Sequence, residues 1–465
     1  MRTAIQKHID FTEGEIDKKL LVFVLPILAG TVLQQLYVTA DAVIIGKYTG
    51  KIGLAAIDSV YALLRLPVLF FAGISAGASI IVSYSYGARD FNKLANAVHT
   101  AVLFALAGGI ALSAAGIVCA PFVLNLIAVP AEIYNYALSY VQIYFAGFVF
   151  MMLYNICAGI LRALGDSKTP LYILVVSCFV NIALDMLFIG HFKWSTAGAA
   201  LATSIAQCIS AVFALAVLIL SKTEGRLYPK KLRFHTESLK RILITGVPIG
   251  IQSAFYPIAN ILIQSGINAS GTDNIAAWAL CGKLDFLIWF SVGAVAEGVS
   301  VCAAQNYGAG KIERIKTGTM FGIAAGTLTV LIISAVLYLY SGTLAKLFIS
   351  ASDYDVIAIT VRIMHFIAPF YVFYVFGDLF SASIRGAGKT FAAMLVSLVT
   401  ICGSRIVWML YSNASAAGFM KILVCYPLSW ILNSLAFTVY YLKKTRCLKN
   451  NQLFKYPGSA ESDIC

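Results

Sequence analysis

Long apolar runs separated by short polar segments fill almost the whole chain. A run of about 20 apolar residues can cross a membrane as a helix, and twelve such runs can be placed, at residues 20–45, 54–84, 95–120, 135–160, 170–190, 196–220, 240–267, 276–304, 317–341, 356–383, 391–411 and 417–442. The longest polar connection, Ser221–Arg241, divides them six and six. The pattern predicts an all-α polytopic membrane protein with twelve transmembrane helices.

The composition excludes most other classes of protein. Of the 465 residues, 60% are hydrophobic and 12% are charged, whereas soluble domains have about 45–50% and about 25%. A soluble enzyme, a disordered protein, a coiled coil and a secreted disulfide scaffold are therefore excluded. The ten cysteines lack metal-binding spacings and lie mostly inside apolar runs, which indicates packing residues. The polar segment before the first run predicts no cleavable signal peptide.

The distribution of Lys and Arg predicts the orientation. If the N-terminus is cytoplasmic, 25 of these residues fall in inner segments and 4 in outer loops. Cytoplasmic loops carry the excess of positive charge in membrane proteins, so we expect both termini and the central linker to be cytoplasmic, in a cell membrane. The net charge of +13 then indicates contact with lipid head groups, and we expect no nucleic-acid partner.

Three short motifs recur in the same order in both halves. Tyr86-Gly87-Ala88 returns in the second half as Tyr307-Gly308-Ala309, Leu25-Pro26-Ile27 returns as Val247-Pro248-Ile249, and Arg162-Ala163-Leu164-Gly165 returns as Arg385-Gly386-Ala387-Gly388. Six spans per copy give both copies the same orientation, a parallel repeat that is typical of transporters. The predicted organisation is a six-helix lobe at 1–220, a linker at 221–241, a second six-helix lobe at 242–442 and a tail at 443–465.

Two aspartates lie inside apolar runs, where acids are rare and usually functional. Asp41 lies as far beyond Pro26 in the first span as Asp185 lies beyond Pro170 in the fifth. At a rise of about 1.5 Å per residue, that separation is about 22 Å along each helix. The first and fifth spans run in the same direction, so both carboxylates are expected in the outer half of the first lobe.

Further oxygen-bearing side chains surround these aspartates. Tyr37 and Asn181 each precede an aspartate by one helical turn, and Thr203 lies at a similar depth in the sixth span. Such a site suits Na⁺, with Asp41, Asp185 and Asn181 as candidate ligands, or a proton, because burial disfavours the charged form of a carboxyl group. The alternative is that these groups only hydrogen-bond between helices.

The motifs resemble one transporter family over residues 15–445. They are Leu25-Pro26-Ile27, Gly46, Tyr86-Gly87-Ala88, the segment from Gly159 to Asp166, the segment from Asn181 to Ile189, and the segment from Gln305 to Gly310. They are similar to those of the multidrug and toxic compound extrusion (MATE) family. The resemblance implies two lobes around a central cleft. It also implies export of organic cations or amphipathic xenobiotics, driven by inward flow of H⁺ or Na⁺ without another cofactor.

The resemblance also implies roles for individual residues. In prokaryotic members the pocket of the first lobe binds Na⁺ or H⁺, and the matching residues here are Tyr37, Asp41, Asn181, Asp185 and Thr203. We expect Asn155 and Tyr140 to line the same cavity.

The second lobe departs from the sodium-driven branch of the family. Those exporters place an acid about two helical turns after the seventh-span proline, where this sequence has Tyr256, so ion coupling is expected in the first lobe. Lys283, Asp285 and Arg405 either form buried ion pairs or contribute polar groups to the cleft. Glu297 is a further acid within a span.

Two other functions compete with multidrug export. A lipid-linked oligosaccharide flippase would also have paired lobes, but it would line its cleft with cationic side chains that hold pyrophosphate. A membrane-embedded enzyme is disfavoured because the sequence has no His-Glu-x-x-His motif, no paired catalytic aspartates and no phosphate-binding Gly-rich lysine loop. We expect a monomeric transporter, not an enzyme.

Overall fold

The computed structural model describes residues 8–414 and 418–449, and all the regular elements in these ranges are helical. The α-helices are α1 (Ile16–Gly87), α2 (Phe91–Leu126), α3 (Ala131–Ala146), α4 (Phe148–Ala163), α5 (Lys168–Asp185), α6 (Ser195–Leu220), α7 (Thr236–Asn268), α8 (Thr272–Leu284), α9 (Phe286–Gly308), α10 (Ile312–Ala345), α11 (Tyr354–Ile367), α12 (Tyr371–Gly386), α13 (Thr390–Ser397), α14 (Ser404–Ala414), α15 (Phe419–Leu423) and α16 (Cys425–Lys449). The π-helical turn Met186–His191 ends the fifth span, and the π-helical turn Leu398–Gly403 interrupts the eleventh. From residue 450 onward the predicted tail lies outside the described residues.

The number of membrane spans depends on one bent pair of helices and on one very long helix. Within the described ranges, ten helices are long and apolar enough to cross a membrane, and α3 with α4, bent by 44°, make an eleventh. Helix α1 has 72 residues, which is about 108 Å and too long for one crossing. Gly50, at φ 68° and ψ −161°, breaks it in the middle. Dividing α1 there gives twelve spans, so the predicted fold class is confirmed.

The chain divides into two compact units, and their boundaries differ from those of the predicted lobes. Unit 1 consists of the residues up to Phe11 together with Leu25–Gly250, and unit 2 consists of Thr12–Val24 together with the chain from Ile251 onward. The N-terminal turns of the first span thus pack within unit 2, and the N-terminal half of the seventh span packs within unit 1. The change of unit falls close to Pro26 and to Pro248, where a proline removes a hydrogen bond from the helix.

Glycines allow the N-terminal segments of the first and seventh spans to pack closely against their neighbours. In unit 1, Gly73 and Gly77 of α1 lie against the backbone of Gly250 and Gly246 of α7, so that a Cβ at any of these positions would overlap its neighbour. Paired small residues four apart are a recurrent means of close helix crossing in membranes. In unit 2, Gly298 of α9 corresponds to Gly77 in the internal repeat, and a Cβ at Gly298 would lie 2.7 Å from Val24 Cγ2. The two halves of the repeat therefore share this use of glycine for close helix packing.

The central linker is ordered against α2 in unit 1. The ring of His99 is buried, its Nδ1 lies 2.6 Å from the carbonyl of Ala95, and its Nε2 accepts a hydrogen bond from the Tyr228 backbone N–H at 3.0 Å. The backbone N–H of His235 donates to Thr100 Oγ1 at 3.1 Å. Burial, with a smaller effect of the nearby Arg233 charge, lowers the pKa of His235. Helix α7 begins at Thr236, so the predicted linker 221–241 includes its first turns.

Candidate functional site

The polar residues that the sequence predicts for the first lobe meet within unit 1. Helix α1 carries Tyr37 and Asp41, and the hydroxyl of Tyr37 donates to Thr203 Oγ1 on α6 at 3.5 Å. The carboxyl groups of Asp41 and Asp185 are neighbours, close enough for a hydrogen bond when one of them holds a proton. Tyr140 of α3 lies in the electrostatic field of both aspartates. Three helices and the first span thus supply one cluster.

The cluster contains an unusual number of buried polar atoms without partners. Asp185 is fully buried and Asn181 is 1% exposed. One oxygen of Asp41, both oxygens of Asp185 and both amide atoms of Asn181 have no hydrogen bond from any described residue. Buried polar groups in proteins are normally satisfied, because an unpaired one costs free energy. A cation or a proton between the two aspartates would satisfy these oxygens, so the donor set fits the predicted coupling ion.

Local structure explains why Asn181 and Asp185 face the cluster together. They are four residues apart on α5 and therefore lie on one face of the helix. The α-helix ends at Asp185, and the π-helical turn Met186–His191 follows directly, a distortion that is frequent at functional sites. Ile44, Ile45 and Ile189 form an apolar wall against which Tyr140 packs. The carboxylates therefore lie in a poorly hydrated environment.

The hydrogen bonds of Asn155 are to α1 and to its own helix, and the expectation that it shares a cavity with Tyr140 stays a prediction. Its side-chain amide donates to the carbonyl of Met151 at 3.0 Å, and its backbone carbonyl accepts a bond from Ser75 at 2.9 Å. The side chain lines a largely apolar pocket with residues that include Phe71 and Met152, and Tyr140 packs against the same hydrophobic cluster as these two residues.

The candidate residues of unit 2 are not paired as ions. Lys283 lies over the ring of Phe348, with its Nζ 5.8 Å from the ring centre. Asp285 accepts a hydrogen bond from the Tyr371 hydroxyl at 2.8 Å. None of the salt bridges within the described residues involves Lys283, Asp285 or Arg405, so the ion pairs considered from the sequence are not formed. Neutral hydrogen-bonding groups and aromatic rings satisfy these charges instead.

The two remaining candidates of unit 2 are Tyr256 and Glu297. Tyr256 accepts a hydrogen bond from Gln252 Nε2 at 2.7 Å, and the same amide nitrogen donates to Ser397 at 3.1 Å. Glu297 is half-buried in α9.

Sequence reasoning missed three residues that surround Arg405. Its Nη1 donates to Asn260 at 2.8 Å, its Nε donates to Ser429 at 3.2 Å, and its guanidinium carbon lies 4.6 Å from the ring centre of Tyr426. These residues come from the seventh and twelfth spans. The internal repeat could have indicated them, because the corresponding first and sixth spans supply the cluster of unit 1.

Comparisons with known proteins agree with this architecture. The family model described as MatE matches residues 26–187 and 248–410, two segments that begin at the two repeated prolines. The "Probable multidrug resistance protein YpnP" of Bacillus subtilis (strain 168) is 29% identical over 85% of this chain and 88% of its own length. A second protein of that organism, the "Probable multidrug resistance protein YoeA", is 26% identical over 91% of this chain and 93% of its own length.

Solved structures show the same fold. A multidrug resistance MATE family transporter in an outward-facing conformation has a TM-score of 0.90 at 20% identity, over 96% of this chain and all of the other. A MATE structure in a bent conformation has a TM-score of 0.89 and covers 96% of this chain. Since the family model matches well over half of the sequence and reproduces its internal repeat, the chain belongs to the multidrug and toxic compound extrusion family, a family of multi-pass membrane transporters.

Proposed function

We propose that this protein is a secondary active exporter that moves organic cations or amphipathic xenobiotics out of the cell in exchange for inward H⁺ or Na⁺. The main support is the neighbouring pair Asp41 and Asp185 in unit 1, whose buried oxygens face each other without hydrogen-bond partners. Relatives named as multidrug resistance proteins support export over the flippase alternative.

The chemistry of the pair supports exchange of one cation for another. Two neighbouring carboxylates in a poorly hydrated site repel one another, so that the empty, doubly charged state is unfavourable. A proton, a sodium ion or a substrate cation each relieves that repulsion, and Asn181 and Tyr37 offer further oxygens to a bound ion. Binding of one cation therefore weakens binding of the next, which is the requirement for antiport.

The coupling ion can be identified by efflux from proteoliposomes. Purified protein is reconstituted with ethidium inside, and an inward proton gradient and an inward sodium gradient are imposed separately. We expect efflux well above that of protein-free liposomes under at least one gradient, because the site can hold either ion. Absence of efflux under both gradients, with ethidium and with a second organic cation, would contradict the proposal.

The proposed orientation places both termini and the central linker in the cytoplasm. We expect a cysteine introduced at Lys230 to be protected from a membrane-impermeant maleimide in intact cells and to react after permeabilisation. A cysteine at Lys47 serves as the control, because both side chains are exposed and the orientation puts Lys47 outside. Labelling of Lys230→Cys in intact cells would contradict the orientation.

A further inference from the structure

A buried arginine in unit 2 has no acidic partner. Arg405 lies in the first turn of α14, the last helical stretch of the eleventh span, and is 6% exposed. It is held by the side chains of Asn260 and Ser429, which are both neutral. No carboxylate among the described residues pairs with it. The nearby Asp285 is occupied by the Tyr371 hydroxyl instead.

This arrangement leaves capacity for a ligand. A guanidinium carries five N–H donors in a planar fork that matches a carboxylate, and its hydrogen bonds to Asn260 and Ser429 use only part of that fork. A buried charge without a counter-ion is costly in a membrane protein and usually marks a functional site. Asn260 is exposed, so a ligand can approach the edge of the guanidinium that lies beside Asn260. An anion there would compensate the charge.

The position of Arg405 corresponds to that of the cation site in unit 1. The separation of Pro26 and Pro248 gives the spacing of the repeat. Counting back by that spacing, Asn260 corresponds to Val38, one turn from Asp41, and Arg405 corresponds to Ala183, close to Asp185. The two copies of the repeat therefore bring the same spans together at the same depth, but with opposite charge.

One aromatic ring lies against the guanidinium, and a second ring lies against the first. The ring of Tyr426 covers one face at 4.6 Å, and the ring of Trp278 lies 5.1 Å from that of Tyr426. We propose that unit 2 contains an anion site in which Arg405 binds the carboxylate of an aromatic organic compound and Tyr426 and Trp278 contact its ring. This site does not depend on the ion coupling proposed for unit 1. A purely structural arginine that ties three spans together would bind no ligand.

The test is equilibrium binding to the purified full-length protein in detergent, which needs neither a gradient nor transport. The probe is potassium 2-naphthoate, followed by tryptophan fluorescence and calorimetry, and the neutral isostere 2-naphthamide is the matched control ligand. We expect naphthoate to bind at least about tenfold more tightly than naphthamide, since a charge-assisted hydrogen bond is worth more than a neutral one. We expect Arg405→Gln to remove that preference and Asp41→Asn to leave it intact.

Several outcomes would overturn the proposal. Equal binding of the acid and the amide, or unchanged naphthoate binding by Arg405→Gln, would show that Arg405 is structural. Displacement of naphthoate by equimolar potassium chloride would assign the site to an inorganic anion instead of an organic carboxylate. If Arg405→Gln does not fold, Arg405→Lys decides, because it keeps the charge but loses the planar fork. We expect Arg405→Lys to bind naphthoate more weakly than the parent does, but still more tightly than it binds naphthamide. If Arg405→Lys instead binds both ligands equally well and with the full affinity of the parent, the site is contradicted.

Discussion

We expect the replacement of Asp41 by Asn to abolish gradient-driven efflux of ethidium from proteoliposomes, reducing it to the level of protein-free liposomes. The physical reason is the pairing of Asp41 with Asp185 in unit 1. An amide can neither release a proton nor supply a full negative charge to a sodium ion, so the site loses the group for which substrate and coupling ion compete. Asp185→Asn is expected to weaken coupling in the same way, because its carboxylate belongs to the same pair.

Loss of transport by Asp41→Asn must be separated from loss of folding. A neutral amide is cheaper to bury than a carboxylate, so the variant should elute and melt like the parent protein. Asp273→Asn is the matched control, since it makes the same chemical change at an exposed carboxylate in unit 2. Tyr256→Phe should leave the ion dependence unchanged, because the side chain that hydrogen-bonds to the Tyr256 hydroxyl is the neutral amide of Gln252. Wild-type efflux by Asp41→Asn under both gradients would move the coupling site to the acids within the spans of unit 2, which are Asp285, Glu297 and Asp378 of α12.

Replacing Gly77 by Ala should destabilise unit 1 strongly. A Cβ at this position would overlap the backbone of Gly246 and lie 3.1 Å from the carbonyl carbon of Thr245. A helix backbone cannot move aside as a flexible side chain can, so α1 and α7 must separate. Overpacking of this kind typically costs about 1–3 kcal/mol. We expect a lower midpoint of thermal unfolding, measured by the tryptophan fluorescence of the purified protein.

Gly293→Ala provides a control in the repeat-related helix. A Cβ at Gly293 would have no neighbour within 4 Å, and alanine favours a helix over glycine by about 1 kcal/mol. Its unfolding midpoint should equal or exceed that of the parent. If Gly77→Ala and Gly293→Ala have the same midpoint, the close crossing of α1 and α7 does not contribute to stability.

The sequence by itself determined the class of the fold. Runs of apolar residues long enough to cross a membrane predict helical spans, because backbone groups in lipid must be paired within the segment. The repeated motifs around Pro26, Gly87 and Arg162 further predict a duplicated six-helix unit. Both features are local or periodic, and local patterns can be identified in one dimension.

The sequence also predicted most members of the unit 1 cluster. Asp41 and Asp185 stand out because charge is rare in a span, and helical spacing gives the residues that share their faces. Tyr37, Thr203 and Tyr140 indeed lie beside the aspartates. Helical periodicity was enough to identify a member of the cluster where that residue lies on the same helix as an aspartate.

Only the tertiary structure decided which faces of different helices meet. Asn155 lies on a face of α4 that points to an apolar pocket, and Arg405 pairs with Asn260 and Ser429 instead of with an acid. The boundaries of the units are likewise set by packing, since the helical segment before Pro26 belongs to unit 2 and the segment before Pro248 belongs to unit 1. These outcomes depend on the rotation and crossing of helices far apart in the chain, which hydrophobic periodicity does not specify when every span is apolar around most of its circumference.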